Sequence, residues 1–185
     1  MDTPDIFPDR LISDRLLIRP AAPGDGEAFY AALIESQAEL SPWLAWTFPP
    51  PSVAFCEMEC RKAHGCYLLG EDWMVFFFER GSGRLVGGGG LHKADWKLRK
   101  FEVGYWCRTG HGGQGLITEA VQTLADHAMT VLRANRLELS VDDNNRKCWQ
   151  LAERTGFTLE GLHRNAGFTP QGRLRHLRIY AKIPA

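Results

Sequence analysis

The chain has 185 residues, 44% of them hydrophobic and 24% charged, a balance that fits one water-soluble domain over residues 1–185 with a buried core. Twenty-two basic residues offset twenty-two acidic ones, so bulk charge gives no ground for direct nucleic-acid binding or for an anionic membrane partner. No apolar run nears the roughly 20 residues of a membrane span, the acidic opening MDTPDIFPDR has no secretory core, and five cysteines without framework spacing suit a reducing cytoplasm, the expected compartment.

RLLIRP (15–20) alternates like a strand and stops at a proline. PGDGEAFYAALIESQ (23–37) offers Asp25 as a helix N-cap ahead of Phe29, Leu33 and Ile34 at near-helical spacing. SPWLAWTFPPP (41–51), with four prolines, cannot be regular structure, yet it carries Trp43, Trp46 and Phe48. Ser52 is expected to cap a helix running to about Leu69, where Gly70 ends it. WMVFFFER (73–80) is too apolar for a surface strand and reads as buried. A GSG turn then forms a hairpin with RLVGGGGLHK (84–93), whose four consecutive glycines predict a bulge or the close approach of a backbone or ligand.

FEVGYWC (101–107) alternates again, with Phe101, Val103, Tyr105 and Cys107 on one side and Glu102, Gly104 and Trp106 on the other. After a glycine loop, a helix to about Leu132 has Ile117, Val121, Leu124, Ala128 and Val131 as its apolar stripe. RLELSVDD turns Leu137, Leu139 and Val141 to one face, NNRKCWQLAERTGF is a short helix ending at Gly156, and two strands follow near 158–168 and 174–183. Strands and helices mixed around a strand–loop–helix–strand unit make this an α/β or α+β domain.

The loop CRTGHGGQGLITEAV (107–121) contains Gly110, Gly112 and Gly115 in the G-x-G-x-x-G spacing of dinucleotide-binding folds. Between a strand and a helix start, such glycines bring backbone N–H groups against a phosphate. Leu116 and Ile117 stand where a Walker loop has Lys and Ser/Thr, which excludes that motif. A dinucleotide fold is disfavoured because four strand candidates precede the loop and little chain remains for further β-α-β units. The plain alternative is a glycine-rich turn without ligand.

In register with its surroundings, EVGYWCRTGHGGQGLITEAVQTLADHA resembles the acetyl-CoA signature of the GNAT N-acetyltransferases, Q/R-x-x-G-x-G/A at a helix start. Gly113 and Gly115 match its core, while Gly112 and Ile117 depart at its ends. RLELSVDDNNRKCWQLAERTGFTLEGLHRNA is similar to the family's strand, Asn-x-x-Ser and Leu-Gly-Phe segment. RLLIRP and SPWLAWTFPPPS resemble the RimJ/RimL-like, ribosomal-protein N-acetyltransferase branch. The likeness runs from about Asp14 to Ile183 and implies the GNAT fold, a three-layer α+β domain with a mixed twisted sheet of about seven strands and helices on both faces.

What the resemblance implies is acetyl transfer from acetyl-CoA to a primary amine, either a protein N-terminus or a small molecule, by a monomer or homodimer. Pantetheine would lie between the strands 101–107 and 136–141, held by Val103, Tyr105, Trp106, Cys107 and Arg108 largely through peptide groups. The loop and helix start, Gly112, Gly113, Gln114, Gly115, Leu116 and Thr118, would take the pyrophosphate, and Asn145 the pantetheine arm. Asn145 or Asn144 would equally cap the next helix. Glu102, beside Gly104 and Trp106, is the implied base, its alternative being a surface pair with Lys97 or Arg99.

Cys148 stands where relatives carry Ser and Ala152 where many carry a Tyr acid, so Cys148 is either a proton donor or a buried small hydrophobe. Trp43, Trp46 and Phe48 are expected on the acceptor side, with core packing as their alternative. His176, where the branch often has Asp, leaves the C-terminal end basic with Arg173, Arg175 and Arg178. Cys56, Cys60 and His64, with Cys66 nearby, lack a zinc spacing, so no metal is expected. The competing classes are a small-amine acetyltransferase (aminoglycoside, polyamine or aminoacyl nucleotide) and a non-catalytic acyl-CoA sensor.

Overall fold

The computed structural model describes residues 7–47 and 49–184. In chain order its elements are β1 (Leu11–Ile12), β2 (Leu16–Pro20), α1 (Gly26–Glu35), α2 (Gln37–Leu40), a 3-10 turn (Ala45–Thr47) and α3 (Val53–Leu69). There follow β3 (Trp73–Glu79), β4 (Leu85–Asp95), β5 (Lys100–Cys107), α4 (Leu116–Thr130), β6 (Arg136–Asp142), α5 (Arg146–Arg154), β7 (Thr158–Phe168) and β8 (Leu174–Lys182). Eight strands form one sheet in the order β1-β2-β3-β4-β5-β6-β8-β7. Every neighbouring pair is antiparallel except β5–β6. A parallel pair needs a long crossover, and α4 supplies it.

Both faces of the sheet are covered. On one side α4 packs Leu116, Val121 and Leu124 against Trp73, Val75, Phe77, Phe101 and Leu137. On the other, Phe29 and Leu33 of α1 and Cys56 and Cys60 of α3 pack on Phe76 and Trp106. This two-sided burial is why β3 reads as a continuous apolar run, each such side chain contributing about 1.5–3 kcal/mol when removed from water.

Helix ends follow their caps. Ser52 Oγ accepts from the Phe55 amide, and Gly70 ends α3 in the left-handed region at φ 69°. Asp25 occupies the N-cap position of α1, but its carboxylate accepts from Arg19 at 2.6 and 2.7 Å and from the Ala22 amide instead. The expected single helix to Gln37 breaks at Ser36, and the proline-rich segment holds a 3-10 turn that was not expected. Val131 leaves the stripe: α4 ends at Thr130, so Val131 is 53% exposed and Leu132 takes its place in the core. β1, only two residues long, carries no pattern to read and adds to the expected strands.

The glycine run of β4 does mark close approach by other parts of the protein. A Cβ at Gly87 would stand 2.5 Å from the Trp106 carbonyl oxygen, and one at Gly88 2.8 Å from the Trp106 indole nitrogen. At Gly89 it would collide with the Gly104 carbonyl, and at Gly90 with that of Trp73.

Candidate active site

β5 and β6 pair only at Lys100–Arg136, Phe101–Leu137 and Glu102–Glu138. Beyond that row β5 keeps its partner β4 to Cys107, and β6 keeps β8 to Asp142. The two strands therefore splay into a wedge whose facing edges carry backbone groups with no strand partner. Unpaired peptide groups demand a partner, and an extended amide-bearing chain such as pantetheine fits the demand. Val103, Tyr105, Trp106 and Cys107 lie on the β5 wall of the wedge. The side chains of Val103 and Trp106 are buried in the two cores, so only their peptide groups are on offer.

β5 leads into the glycine loop, where Gly110, Gly113 and Gly115 have φ of 82°, 77° and 77°. Residues with a side chain adopt that conformation at a cost, and Gly112 to Gly115 are all exposed. Gly115 is also the N-cap of α4 and offers no side-chain cap. The first helical bond comes from the Glu119 amide, so those of Leu116, Ile117 and Thr118 have no partner among the described residues. A helix of this length with bare first-turn amides attracts an anion. The loop is braced by Gln114 Nε2 donating to the Gly110 carbonyl at 3.0 Å.

Arg15 is a brace that sequence reasoning missed. Its guanidinium donates to the Gln114 carbonyl at 2.9 Å and to Glu119 at 2.6 Å, tying β2 to the loop and to the first turn of α4. Burial pushes the Glu119 carboxyl up, but hydrogen bonds from Ser13 and Arg15 outweigh it and hold the group below its ordinary range. The only trace in sequence is a basic residue opening a strand, too common a pattern to be read.

Arg108 is engaged within the fold. Its guanidinium donates to Glu35 and to the Leu85 carbonyl, and its amide donates to the Val86 carbonyl. The side chain, 9% exposed, clamps α1 to the sheet.

Across the wedge on the α4 side, the Tyr105 hydroxyl donates to the Cys148 carbonyl at 2.8 Å, and Cys148 Sγ lies 3.2 Å from the same hydroxyl. Burial pushes the Cys148 thiol up to about 11, and burial also raises the Tyr105 phenol. Both groups hold their protons at neutral pH. Asn145 caps α5, accepting from the Cys148 amide at 3.2 Å, which leaves its Nδ2 hydrogens without a partner among the described residues.

On the opposite face Glu102 pairs with Lys93 at 2.7 Å, and not with Lys97 or Arg99. His92 and Asp72, absent from the sequence-based site, stand beside it with His92 Nδ1 2.8 Å from the carboxylate. Trp46 is 44% exposed with its ring near Phe29, while the Trp43 carbonyl accepts from Arg175 at 3.4 Å. Loop 41–47 thereby meets the β7–β8 turn, where Gln171 also reaches the Ser41 carbonyl. Phe48 lies outside the described residues. The C-terminal end is less basic than expected, since Arg178 pairs with Asp143 at 2.6 Å and Arg175 lies 3.9 Å from Asp142. Cys56 and Cys60 are buried in α3, burial pushing Cys60 up to about 12, and no group of three metal-capable side chains converges among the described residues.

A wedge of splayed parallel strands leading to a bare helix N-terminus suits an extended amide-bearing ligand that ends in phosphate. The profile of the acetyltransferase (GNAT) domain family matches residues 15–158, and the chain belongs to that family. It is 29% identical over 158 residues to YdaF of Bacillus subtilis (strain 168), named as a ribosomal N-acetyltransferase, with 83% of this chain and 84% of that one covered. It is 26% identical over 176 residues to the ribosomal-protein-serine acetyltransferase of Escherichia coli (strain K12), covering 93% and 94%. The fold superposes on RimL, the ribosomal L7/L12 alpha-N-protein acetyltransferase solved with coenzyme A, with a TM-score of 0.87 at 21% identity over 94% of this chain and 96% of that one. The protein is thus an N-acetyltransferase of the GNAT family that uses acetyl-CoA.

Proposed function

We propose that the chain, acting as one catalytic domain in the cytoplasm, acetylates the free α-amine of a protein N-terminus. The observation that carries the reaction is the β5–β6 wedge, with unpaired peptide edges running toward the bare first turn of α4. The names of the relatives support the protein acceptor. Small amines remain the second acceptor class, to be separated by assay.

Acetyl-CoA supplies an activated acetyl group. The amides of Gly113 to Thr118 receive its phosphate charge, and the β5 edge with Asn145 Nδ2 orients the arm so that a peptide N–H meets the carbonyl oxygen. Glu102 faces the acceptor side, draws in the ammonium and takes its first proton. Tyr105 and Cys148, whose hydrogens are engaged with the Cys148 carbonyl and with the Tyr105 hydroxyl, would have to turn them toward the departing sulfur to protonate it. A thiol raised to about 11 is a weaker acid than an ordinary one near 8.5, so Cys148 acts chiefly as a hydrogen-bond donor there. Trp43, Trp46 and Phe48 select the acceptor.

Thiol release from acetyl-CoA, measured with unblocked peptides beginning in Ser or Ala and with spermidine and an aminoglycoside in parallel, tests the proposal. Peptides are expected to be turned over faster than either small amine. The reverse order moves the protein to the small-amine class, and acetyl-CoA binding without turnover of any amine makes it a sensor.

A further inference from the structure

A row of ionisable side chains crosses the acceptor face where the wedge begins to open. His92 on β4 is the register partner of Glu102 on β5, and Glu102 is level with Glu138 on β6. Trp73 pairs with Leu91, so Asp72, just before β3, comes level with His92 and closes the row. The charged groups facing His92 are therefore Asp72 and Glu102, with Lys93 held on Glu102 and Glu138 one strand further.

The His92 ring is held in one sense. Its Nδ1 lies 2.8 and 3.1 Å from the two Asp72 oxygens. A carboxylate oxygen accepts, so Nδ1 is the nitrogen that donates and Nε2 is left on the far edge of the ring. Nε2 has no hydrogen-bond partner among the described residues, and the side chain is 29% exposed. The ring lies over Gly90 and Gly104: a Cβ at Gly90 would stand 2.9 Å from Nε2, and one at Gly104 3.2 Å. A side chain at either place would press on the imidazole. Gly104 is the second residue of β5 past its last pairing with β6, so the free nitrogen stands over the mouth of the wedge.

We propose that His92, oriented by Asp72, receives by way of Glu102 the proton that the acceptor ammonium must release, and returns it to water. This rests on the acetyl-transfer reading above. An ammonium and a thioester give an amide, a thiol and one free proton. The C–N bond forms, the C–S bond breaks, one nitrogen proton stays on the amide, one ends on the coenzyme sulfur, and the third has to leave. A carboxylate ordinarily keeps a proton only in acid. Imidazole is the side chain that ordinarily exchanges one near neutrality, and the exposed edge of His92 gives it a way out.

The test uses the full chain, acetyl-CoA and a short unblocked peptide beginning in Ser as probe, with slow acetyl-CoA hydrolysis as a second readout in which water replaces the amine. Thiol release is followed from mildly acidic to alkaline pH for the wild type, His92→Gln, Asp72→Asn, Glu102→Gln and the His92→Gln/Glu102→Gln double variant. His92→Gln is expected to lower kcat about 10²-fold near neutrality, to lose the acid limb of the profile, and to leave the KM for acetyl-CoA unchanged. Asp72→Asn, which keeps the ring and removes its orientation, is expected to fall between. Because both groups serve one path, the double variant is expected to be no slower than the slower single one. Imidazole 15N shifts provide the readout without turnover: Nδ1–H in the wild type, a mixture in Asp72→Asn.

A His92→Gln profile that superimposes on the wild type's, losses that multiply in the double variant, or an Nε2–H ring each overturns the inference. If the wild type neither releases thiol nor is stabilised by acetyl-CoA, the acetyl-transfer reading fails and the relay goes with it. An active wild type beside an indifferent His92→Gln sinks the relay alone.

Discussion

Lys93, itself largely exposed, holds the Glu102 carboxylate at 2.7 Å, and an ion pair of that kind adds little to stability. Glu102→Gln is therefore expected to fold normally and to lower kcat about 10²-fold or more at neutral pH, a loss of about 2.7 kcal/mol in transition-state stabilisation. The loss should shrink as pH rises, because more of the acceptor amine is then already neutral. A pH–rate profile checks this, and coincidence with the wild type at every pH removes the carboxylate from the reaction. Cys148→Ala is expected to act more weakly, since Tyr105 remains beside the departing sulfur and water can protonate it. Cys148→Ser keeps a hydrogen-bond donor and is expected to retain or improve the rate.

At the scale of elements, the loop between β5 and α4 carries the proposed phosphate contacts of the coenzyme. Gly113 and Gly115 both sit at φ 77°, so valine at either strains the backbone and turns the loop amides away from the phosphate. Each variant is expected to raise the Kd for acetyl-CoA at least tenfold, readable by calorimetric titration; unchanged affinity would place the phosphates elsewhere. Loop 41–47 is the proposed acceptor border, so Trp46→Ala is expected to raise the acceptor KM far more than that of acetyl-CoA. Equal effects on both substrates, or loss of folding, would show that the indole is a core residue.

Much of this was legible in the chain because period and caps are local signals. The alternation of 101–107 separates the two cores, and Ser52 and Gly70 bound α3. The glycine loop was legible as a turn between a strand and a helix start, with Gly113 and Gly115 in the left-handed region. Other features depend on partners far along the chain. Arg108 meets Glu35, Arg15 meets Gln114 and Glu119, and Asp72 meets His92 only once the sheet is assembled. Register decides such pairs, and nothing in a local window states register. Tyr105 is the subtler case: alternation put it on the α4 side, but only the fold shows its hydroxyl at Cys148, near the position that Ala152 leaves without a phenol.

For the molecule as a whole, acid stability is linked to His127. Burial holds its imidazole below the ordinary 6.5, and Nε2 lies buried without a hydrogen-bond partner among the described residues, near the ring of Phe7. Below about pH 6.5 the unfolded chain takes up a proton that the folded ring resists, so this contribution to stability is full above that pH and falls as pH drops toward the lowered folded value. His127→Phe is expected to flatten the acid limb of a Tm-against-pH curve, whereas an unchanged limb would assign it to other groups.

The two-sided sheet, the wedge and the bare α4 N-terminus together make one claim: the protein moves an acetyl group from acetyl-CoA to an amine. Mass spectrometry of an unblocked Ser-peptide incubated with the protein and acetyl-CoA tests it most directly, with released thiol counted in the same tube. One acetyl group on the peptide's α-amine is expected for each thiol released, with about tenfold less of both for Gly113→Val at limiting acetyl-CoA. Thiol release and peptide mass no different from a protein-free control, with NADH and not acetyl-CoA raising the Tm, would contradict it.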